Sequence, residues 1–315
     1  MSTSGRSDVA GESAAAQGRA RVSLAEWEAA GGSFTHRGHR IYTRSELGAG
    51  GEALVLIHGF PTASWDWEAL WPELARRFDV YTLDMIGFGL SAKPADHAYT
   101  IFDQAELFEG FLRERGVAAY HVLAHDYGDT VAQELLARQS EPGERPELRS
   151  VAFLNGGLFP ETHRPVLLQR LLLSPLGPFI ARQTSRARMA QNMRKIFGPA
   201  TQPDEQLLDA YWSLLTRENG VAVMPKLIRY MVERREHRAR WVGALERARI
   251  PLALIDGAAD PISGRHMAAR YEELVPRADV TLLEGIGHYP QVEAPHEVLK
   301  HYLGFRERVA AASTA

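Results

Sequence analysis

Six short apolar runs recur along the chain, each stopped by a polar residue or a glycine. Residues 54–57 (LVLI) end at His58-Gly59, and 80–83 (VYTL) end at Asp84. Residues 122–124 (VLA) end at His125-Asp126, and 151–154 (VAFL) end at Asn155-Gly156-Gly157. Residues 252–255 (LALI) end at Asp256-Gly257, and 280–283 (VTLL) end at Glu284-Gly285. Continuous runs of this length predict strands buried on both faces, as in a parallel sheet. Helical spacing fills the gaps between them. Leu107, Phe108, Phe111 and Leu112 share one helical face, and Gly116 supplies a stop. Val131, Ala132, Leu135 and Leu136 repeat the pattern after Asp126. Strand and helix in alternation predict an α/β fold with a doubly wound, mostly parallel sheet.

The alternation stops between 158 and 240. This stretch holds no strand-like run, but Met224, Leu227, Ile228, Met231 and Val232 form an apolar helical stripe. Basic clusters interrupt it, at Arg234-Arg235 and His237-Arg238-Ala239-Arg240. Strand-like runs resume at 252, so the helical stretch is an insertion and not a terminal domain. The expected layout is a core from 23–157 and 241–308, with a helical cap at 158–240. The cap lies over the C-terminal edge of the sheet, where open α/β sheets bind ligands. Residues 1–22 are rich in Ser, Ala and Gly and lack an apolar stretch. They predict a disordered tail, not a signal peptide or a membrane span.

Composition narrows the function. The 315 residues are 45% hydrophobic and 24% charged, with a formal net charge of −3. That balance is ordinary for a soluble globular protein and favours neither nucleic acid nor a membrane as partner. There is no cysteine, which excludes disulfides, a thiolate nucleophile and Cys-ligated zinc. A reducing, cytoplasmic setting is the expectation, and a homodimer is compatible with it. Neither a His-Glu-x-x-His zinc motif nor a Gly-x4-Gly-Lys phosphate loop occurs, so no metal or cofactor is expected.

The chemistry concentrates at three strand ends. Ala124-His125-Asp126-Tyr127-Gly128 places an aspartate between small residues, after a strand and before a helix. Such a turn strains the middle residue and exposes its side chain as a nucleophile, while small neighbours let strand and helix approach. The helix N-terminus favours a carboxylate there. Asp260 follows a late strand, with Asp256 as its nearest rival, and His288 follows the last strand in a glycine-rich loop. Nucleophile, acid and histidine in that chain order make a hydrolytic triad.

Nearly the whole chain, from about Ser23 to Arg308, resembles the α/β-hydrolase fold family. The likeness is to its epoxide hydrolase and haloalkane dehalogenase branch, and within it to the mesoderm-specific transcript proteins. The stretches that carry it are HGFPTASWDW, LDMIGFGLSAKP, HDYGDTVAQELLAR, NGGLFPETHRP, RARWVGAL and GHYPQVE. The resemblance implies Asp126, Asp260 and His288 as triad, and backbone N–H groups of Phe60 and Tyr127 as oxyanion hole. His58, Asp84 and Gly87-Phe88-Gly89 read as structural parts of the loops, and Glu293 as a brace for the His288 loop.

An aspartate nucleophile selects its substrate. With a reference pKa of about 3.9 it is ionised without help from a base. Attack on an acyl carbon would give an anhydride that reverses. Attack on an alkyl carbon gives an ester that water can open, which points to epoxides or alkyl halides. His288, oriented by Asp260, would activate that water. Dehalogenases of this branch commonly carry Trp after the nucleophile and often Asn in the early loop; this chain has Tyr127 and Phe60 there. An epoxide oxygen needs an O–H donor, which epoxide hydrolases supply from lid tyrosines. Tyr230 matches the position of one, and Tyr211 is a candidate for a second. Trp65, Phe159 and His163 are candidate substrate contacts. The expected activity is hydrolysis of a small apolar epoxide to a diol. A haloalkane or haloacid dehalogenase and a silent binding protein are the alternatives. Asp129, in the first turn after the elbow, is expected to bear on Asp126 through its charge.

Overall fold

The computed structural model describes residues 21–48 and 51–313. All six expected strands form: β3 (Ala53–Ile57), β4 (Asp79–Leu83), β5 (Ala119–His125), β6 (Glu147–Leu154), β7 (Leu252–Gly257) and β8 (Asp279–Leu283). Two more, β1 (Gly32–His36) and β2 (His39–Glu46), precede them. The eight strands lie in the order β1-β2-β4-β3-β5-β6-β7-β8. β1, β2 and β4 pair antiparallel, and every pair from β4/β3 onward is parallel. All residues of β3 are buried, as the uninterrupted LVLI run requires. β1 was not foreseen because it alternates, with Ser33 and Thr35 exposed and Phe34 and His36 buried. That is the pattern of a strand wet on one face.

Local signals set the helices. Helix Ile101–Glu114 begins where the Thr100 hydroxyl accepts the Asp103 N–H at 3.1 Å. It stops before Gly116, whose φ of +70° is the left-handed turn that glycine adopts freely. Leu107, Phe108, Phe111 and Leu112 are all fully buried beneath the sheet. Each such side chain stabilises the fold by roughly 1.5–3 kcal/mol.

From 158 to 240 the chain forms only helices and turns. Ties to the core include the Ile101 N–H to Glu233 at 3.0 Å and Lys226 Nζ to the Ala95 carbonyl at 2.5 Å. The helix Arg238–Glu246 runs through the expected boundary at 240. It packs on helix Tyr127–Arg138 through the fully buried Glu134 carboxylate, which accepts from Arg138 at 2.7 Å, Arg240 at 2.6 Å and Trp241 at 2.8 Å. The Ser/Ala/Gly-rich start lies outside the described residues up to position 20. Val22 is already tied in: its N–H donates to Glu68 at 3.0 Å and its carbonyl accepts from Trp65 at 2.9 Å. At the other end, helix Pro295–Ser313 runs through Ala310, Ala311 and Ala312.

Candidate active site

The strand order reverses around β3, so the loops after β3, β5, β7 and β8 gather at one edge of the sheet. β5 delivers Asp126 there in a strained turn, at φ +50° and ψ −104°. A non-glycine residue in this region costs of order 1–3 kcal/mol. The close approach explains its neighbour. A Cβ on Gly128 would sit 2.5 Å from the Ile57 carbonyl oxygen and 2.7 Å from that of His58. Only glycine lets the elbow helix come so near to β3. Two bonds hold the turn: Asp126 N–H to the Leu154 carbonyl at 3.2 Å, and Arg234 Nη2 to the Asp126 carbonyl at 2.9 Å.

Asp126, Asp260 and His288 meet although they come from three different strand ends. His288 Nδ1–H donates to Asp260 Oδ2 at 2.8 Å, and its Nε2 lies 3.9 Å from Asp126 Oδ1. Asp256, the rival acid, is buried without a hydrogen-bond partner for either oxygen among the described residues, and burial then Asp260 hold its carboxyl well above the usual range. Asp260 is the better served carboxylate. It also accepts from Asn155 Nδ2 at 3.1 Å, Ile262 N–H at 2.8 Å, and the Ser263 N–H and hydroxyl at 3.1 and 2.8 Å. Burial works against its charge, but the His288 cation and these donors outweigh that and keep it below the usual carboxylate range. Burial likewise pulls His288 down. Asp260, then Asp126 and Glu293, overcome it and push the imidazole up to about 9.

The two Asp126 oxygens face different surroundings. Oδ2 accepts the Phe60 N–H at 3.0 Å, from the loop after β3. Oδ1 faces His288 and the Tyr230 hydroxyl, which donates to it at 3.4 Å. Burial and then Asp126 push the Tyr230 phenol well above its ordinary range, while the guanidinium of Arg234 opposes them from 4.4 Å over the ring. Tyr127 turns its ring inward, 5.3 Å from Phe88 and 4.7 Å from Tyr230.

Other expected residues have other neighbours. Tyr211 is not brought to the nucleophile. Its hydroxyl faces Asp66, whose carboxyl burial pushes up to about 8, and its ring lies against Trp65 and Tyr289. Trp65 bonds to the Val22 carbonyl, and Phe159 packs edge-on to Tyr271 at 6.5 Å. Both are buried in the core cluster. His163 does reach the polar corner beside the triad. Burial, then Arg234 and His288, push it down to about 3, so its ring is neutral. A Cβ on Gly157 would come within 2.7 Å of its Nδ1 and would collide with Arg234 Nη1. Burial first, then Asp126, holds the Asp129 carboxyl well above the usual range, which works against the charge expected for it beside Asp126.

The braces behave as expected. Glu293 accepts from the N–H groups of Gly198, Gly287 and Tyr289 at 2.7–2.9 Å. His58 Nε2 accepts the Met85 N–H at 3.0 Å, and Asp84 accepts from Ser64 and Leu90. Three contributors were not foreseen: Asn155, which joins Asp260 to β7; His125, whose ring bonds the His288 carbonyl at 2.7 Å; and Arg234. Arg234 reads in the sequence as half of a basic pair, yet it is 2% exposed and also donates to Thr130 Oγ1 at 2.6 Å. Its place on the stripe Leu227, Met231, Arg234 was the available signal. A groove of about 920 Å³ lies elsewhere, lined by Glu52, His121, Arg306 and others, with no triad residue.

The family described as alpha/beta hydrolase fold matches over residues 52–295. The mesoderm-specific transcript protein of Mus musculus is 42% identical over 293 residues, covering 90% of this chain and 87% of its own. LipZ of Mycobacterium tuberculosis is 38% identical over 274 residues, covering 87% and 94%. Among solved structures, the epoxide hydrolase CorEH superposes with a TM-score of 0.72 at 18% identity, covering 89% of this chain and 99% of that one. The haloalkane dehalogenase DbeA from Bradyrhizobium elkani does so with a TM-score of 0.73 at 21% identity, covering 90% and 99%. At such identities these two structures share the fold. The chain belongs to the α/β-hydrolase fold family, alongside the mesoderm-specific transcript proteins.

Proposed function

We propose that this hydrolase opens epoxides to vicinal diols through an ester on Asp126, under a lid formed by the helices between 158 and 240. One observation carries the reading: the Tyr230 hydroxyl lies 3.4 Å from Asp126 Oδ1, the oxygen that also faces His288. An O–H donor at the attacking oxygen suits a leaving group that stays attached to carbon and needs a proton. A halide needs none. Neither Phe60 nor Tyr127 offers the side-chain N–H that would hold one, so the dehalogenase reading is disfavoured.

Charge moves through the site in a balanced sequence. Asp126 Oδ1 attacks the epoxide carbon, the C–O bond breaks, and its electron pair goes to oxygen, which takes the Tyr230 proton. Forming the ester removes the negative charge that had opposed Tyr230 ionisation and supported His288 protonation. The phenol thus becomes a stronger acid as the ring opens. His288 returns a proton to the phenolate and becomes neutral. It then takes a proton from water, which attacks the ester carbonyl. The developing charge falls on Oδ2, facing the Phe60 N–H, with the Tyr127 N–H as second donor. Collapse releases the diol as its alkoxide, which takes the proton back from His288. The Asp126 carboxylic acid then gives its own proton to the imidazole, restoring the starting charges.

The test pairs aryl and alkyl epoxides with haloalkanes. His288→Gln should accumulate an alkyl ester on the peptide bearing Asp126, seen by mass spectrometry, and the wild type should release diol. Halide release without diol would overturn the epoxide reading. No adduct from either panel would leave a binding protein as the remaining account.

A further inference from the structure

The net charge of −3 conceals a local asymmetry. Residues 162–203, at the start of the lid, contain seven Arg and Lys residues and no Asp or Glu. Arg164, Arg170, Arg182, Arg188 and Lys195 are exposed and form no ion pair among the described residues. Four of the five large apolar side chains exposed among the described residues fall in the same stretch: Leu167 at 71%, Leu171 at 38%, Leu176 at 65% and Phe179 at 62%.

Their spacing puts them on faces. In helix Leu167–Leu173, positions 167, 170 and 171 share one side, and Leu172 and Gln169 are buried on the other. In helix Gly177–Arg182, Leu176, Phe179 and Arg182 fall three apart, and Ala181 is buried. The two helices pack on each other and on helix Met224–Leu227, three residues short of Tyr230. The outward side of this hairpin therefore alternates leucine or phenylalanine with arginine. No other face among the described residues matches it. The undescribed residues 1–20 hold only Met1 and Val9 as large apolar side chains, too few to cover four.

We propose that this hairpin of the lid docks on an anionic lipid surface, with Leu167, Leu171, Leu176 and Phe179 entering the headgroup boundary and the unpaired arginines meeting lipid charge. Amphipathic helices that lie in an interface combine these two features: a modest apolar face and cations beside it. Each basic residue near such a surface adds attraction that falls off within a Debye length. A protein partner is less well matched, because uniform positive charge without any acid offers no pattern to read. Docking is peripheral. No helix among the described residues is long and apolar enough to cross a membrane. The proposal stands apart from the epoxide reading, since it rests on the outer face of the lid alone.

Flotation of the full chain with vesicles tests it. Vesicles of 70:30 phosphatidylcholine and phosphatidylglycerol should carry the protein, and pure phosphatidylcholine vesicles should carry at least about tenfold less. The double variant Leu167→Ser/Phe179→Ser and the triple variant Arg164→Gln/Arg170→Gln/Arg182→Gln should each bind at least about tenfold more weakly, with unchanged melting temperatures. Raising salt to 0.5 M should weaken the wild type strongly and the triple variant little. Failure of the wild type to float with the anionic vesicles overturns the proposal, as does equal flotation by the double variant. A wild-type dimer in light scattering that the double variant loses, with no flotation of either, would assign the face to a second copy instead.

Discussion

The proposed cycle requires His288 to change protonation when Asp126 loses its charge, and Asp126→Asn isolates that step. The neutral amide imitates the charge of the ester while keeping the shape of the side chain. His288 Nε2 lies 3.9 Å from Asp126 Oδ1, and each side chain is about 3% exposed. At an effective dielectric of about 20, opposite unit charges at this separation attract by about 4 kcal/mol. With 1.36 kcal/mol for each tenfold change, and Asp260 still in contact at 2.8 Å, the midpoint of His288 should fall by roughly one to three pH units. The Cε1 signal of ¹³C-labelled histidine reads it, assigned by difference with His288→Gln. At pH 8.5 the ring should be mostly protonated in the wild type, given its midpoint of about 9, and largely neutral in the Asn variant. Stability gives a second reading. Because the folded midpoint lies above that of free imidazole, the contribution of His288 is complete below about pH 6.5 and is lost as pH rises through 9. The wild type should lose more stability to urea across that window than the Asn variant. A midpoint that moves by less than about 0.3 pH units would refute the reasoning, because ester formation could then not turn His288 into a base.

Three further perturbations test other joints. Gly128→Val should destabilise by roughly 1–3 kcal/mol in chemical denaturation, since a Cβ there meets two β3 carbonyls at 2.5 and 2.7 Å. Glu134→Ala leaves Arg138, Arg240 and the Trp241 N–H without their shared acceptor; a loss of roughly 3 kcal/mol is expected in thermal unfolding, less than for a wholly buried pair because Arg240 is partly exposed. Arg234→Gln removes the cation over Tyr230, so ester formation on Asp126 should slow by about tenfold or more while ester hydrolysis changes little; single-turnover kinetics separate the two.

The parts of the fold that were legible in the sequence are those where one property holds over several consecutive residues. The runs at 54–57 and 151–154 are apolar throughout because both faces of β3 and of the end of β6 are covered. β1 sits at the edge with one side in water, so only every second residue carries the signal; β2 buries only Ile41, Tyr42 and Thr43 between polar ends, and Arg37-Gly38 before it is a turn with two positive φ values. The triad was legible for a topological reason. Each member follows a strand end, and all parallel strands of one sheet end at the same edge, so position in the chain already implies proximity.

The lid follows no such rule, and there the sequence supplies stripes without directions. Tyr211 and Tyr230 both lie on helices with apolar spacing, both are fully buried, and only the packing of the lid on the core decides which hydroxyl meets Asp126. Arg234 and Arg235 are adjacent, yet one is buried against the elbow and the other is exposed, because successive residues on a helix point about 100° apart. A basic pair therefore has two meanings at once. The same rotation that carries Arg234 under Tyr230 turns its neighbour to solvent, and in helix Leu167–Leu173 it turns leucines outward beside Arg170. Charge and apolarity along the lid acquire a function only when each is assigned to a face. On the proposed readings, the inner face bears on leaving-group chemistry and the outer face on docking at a lipid surface.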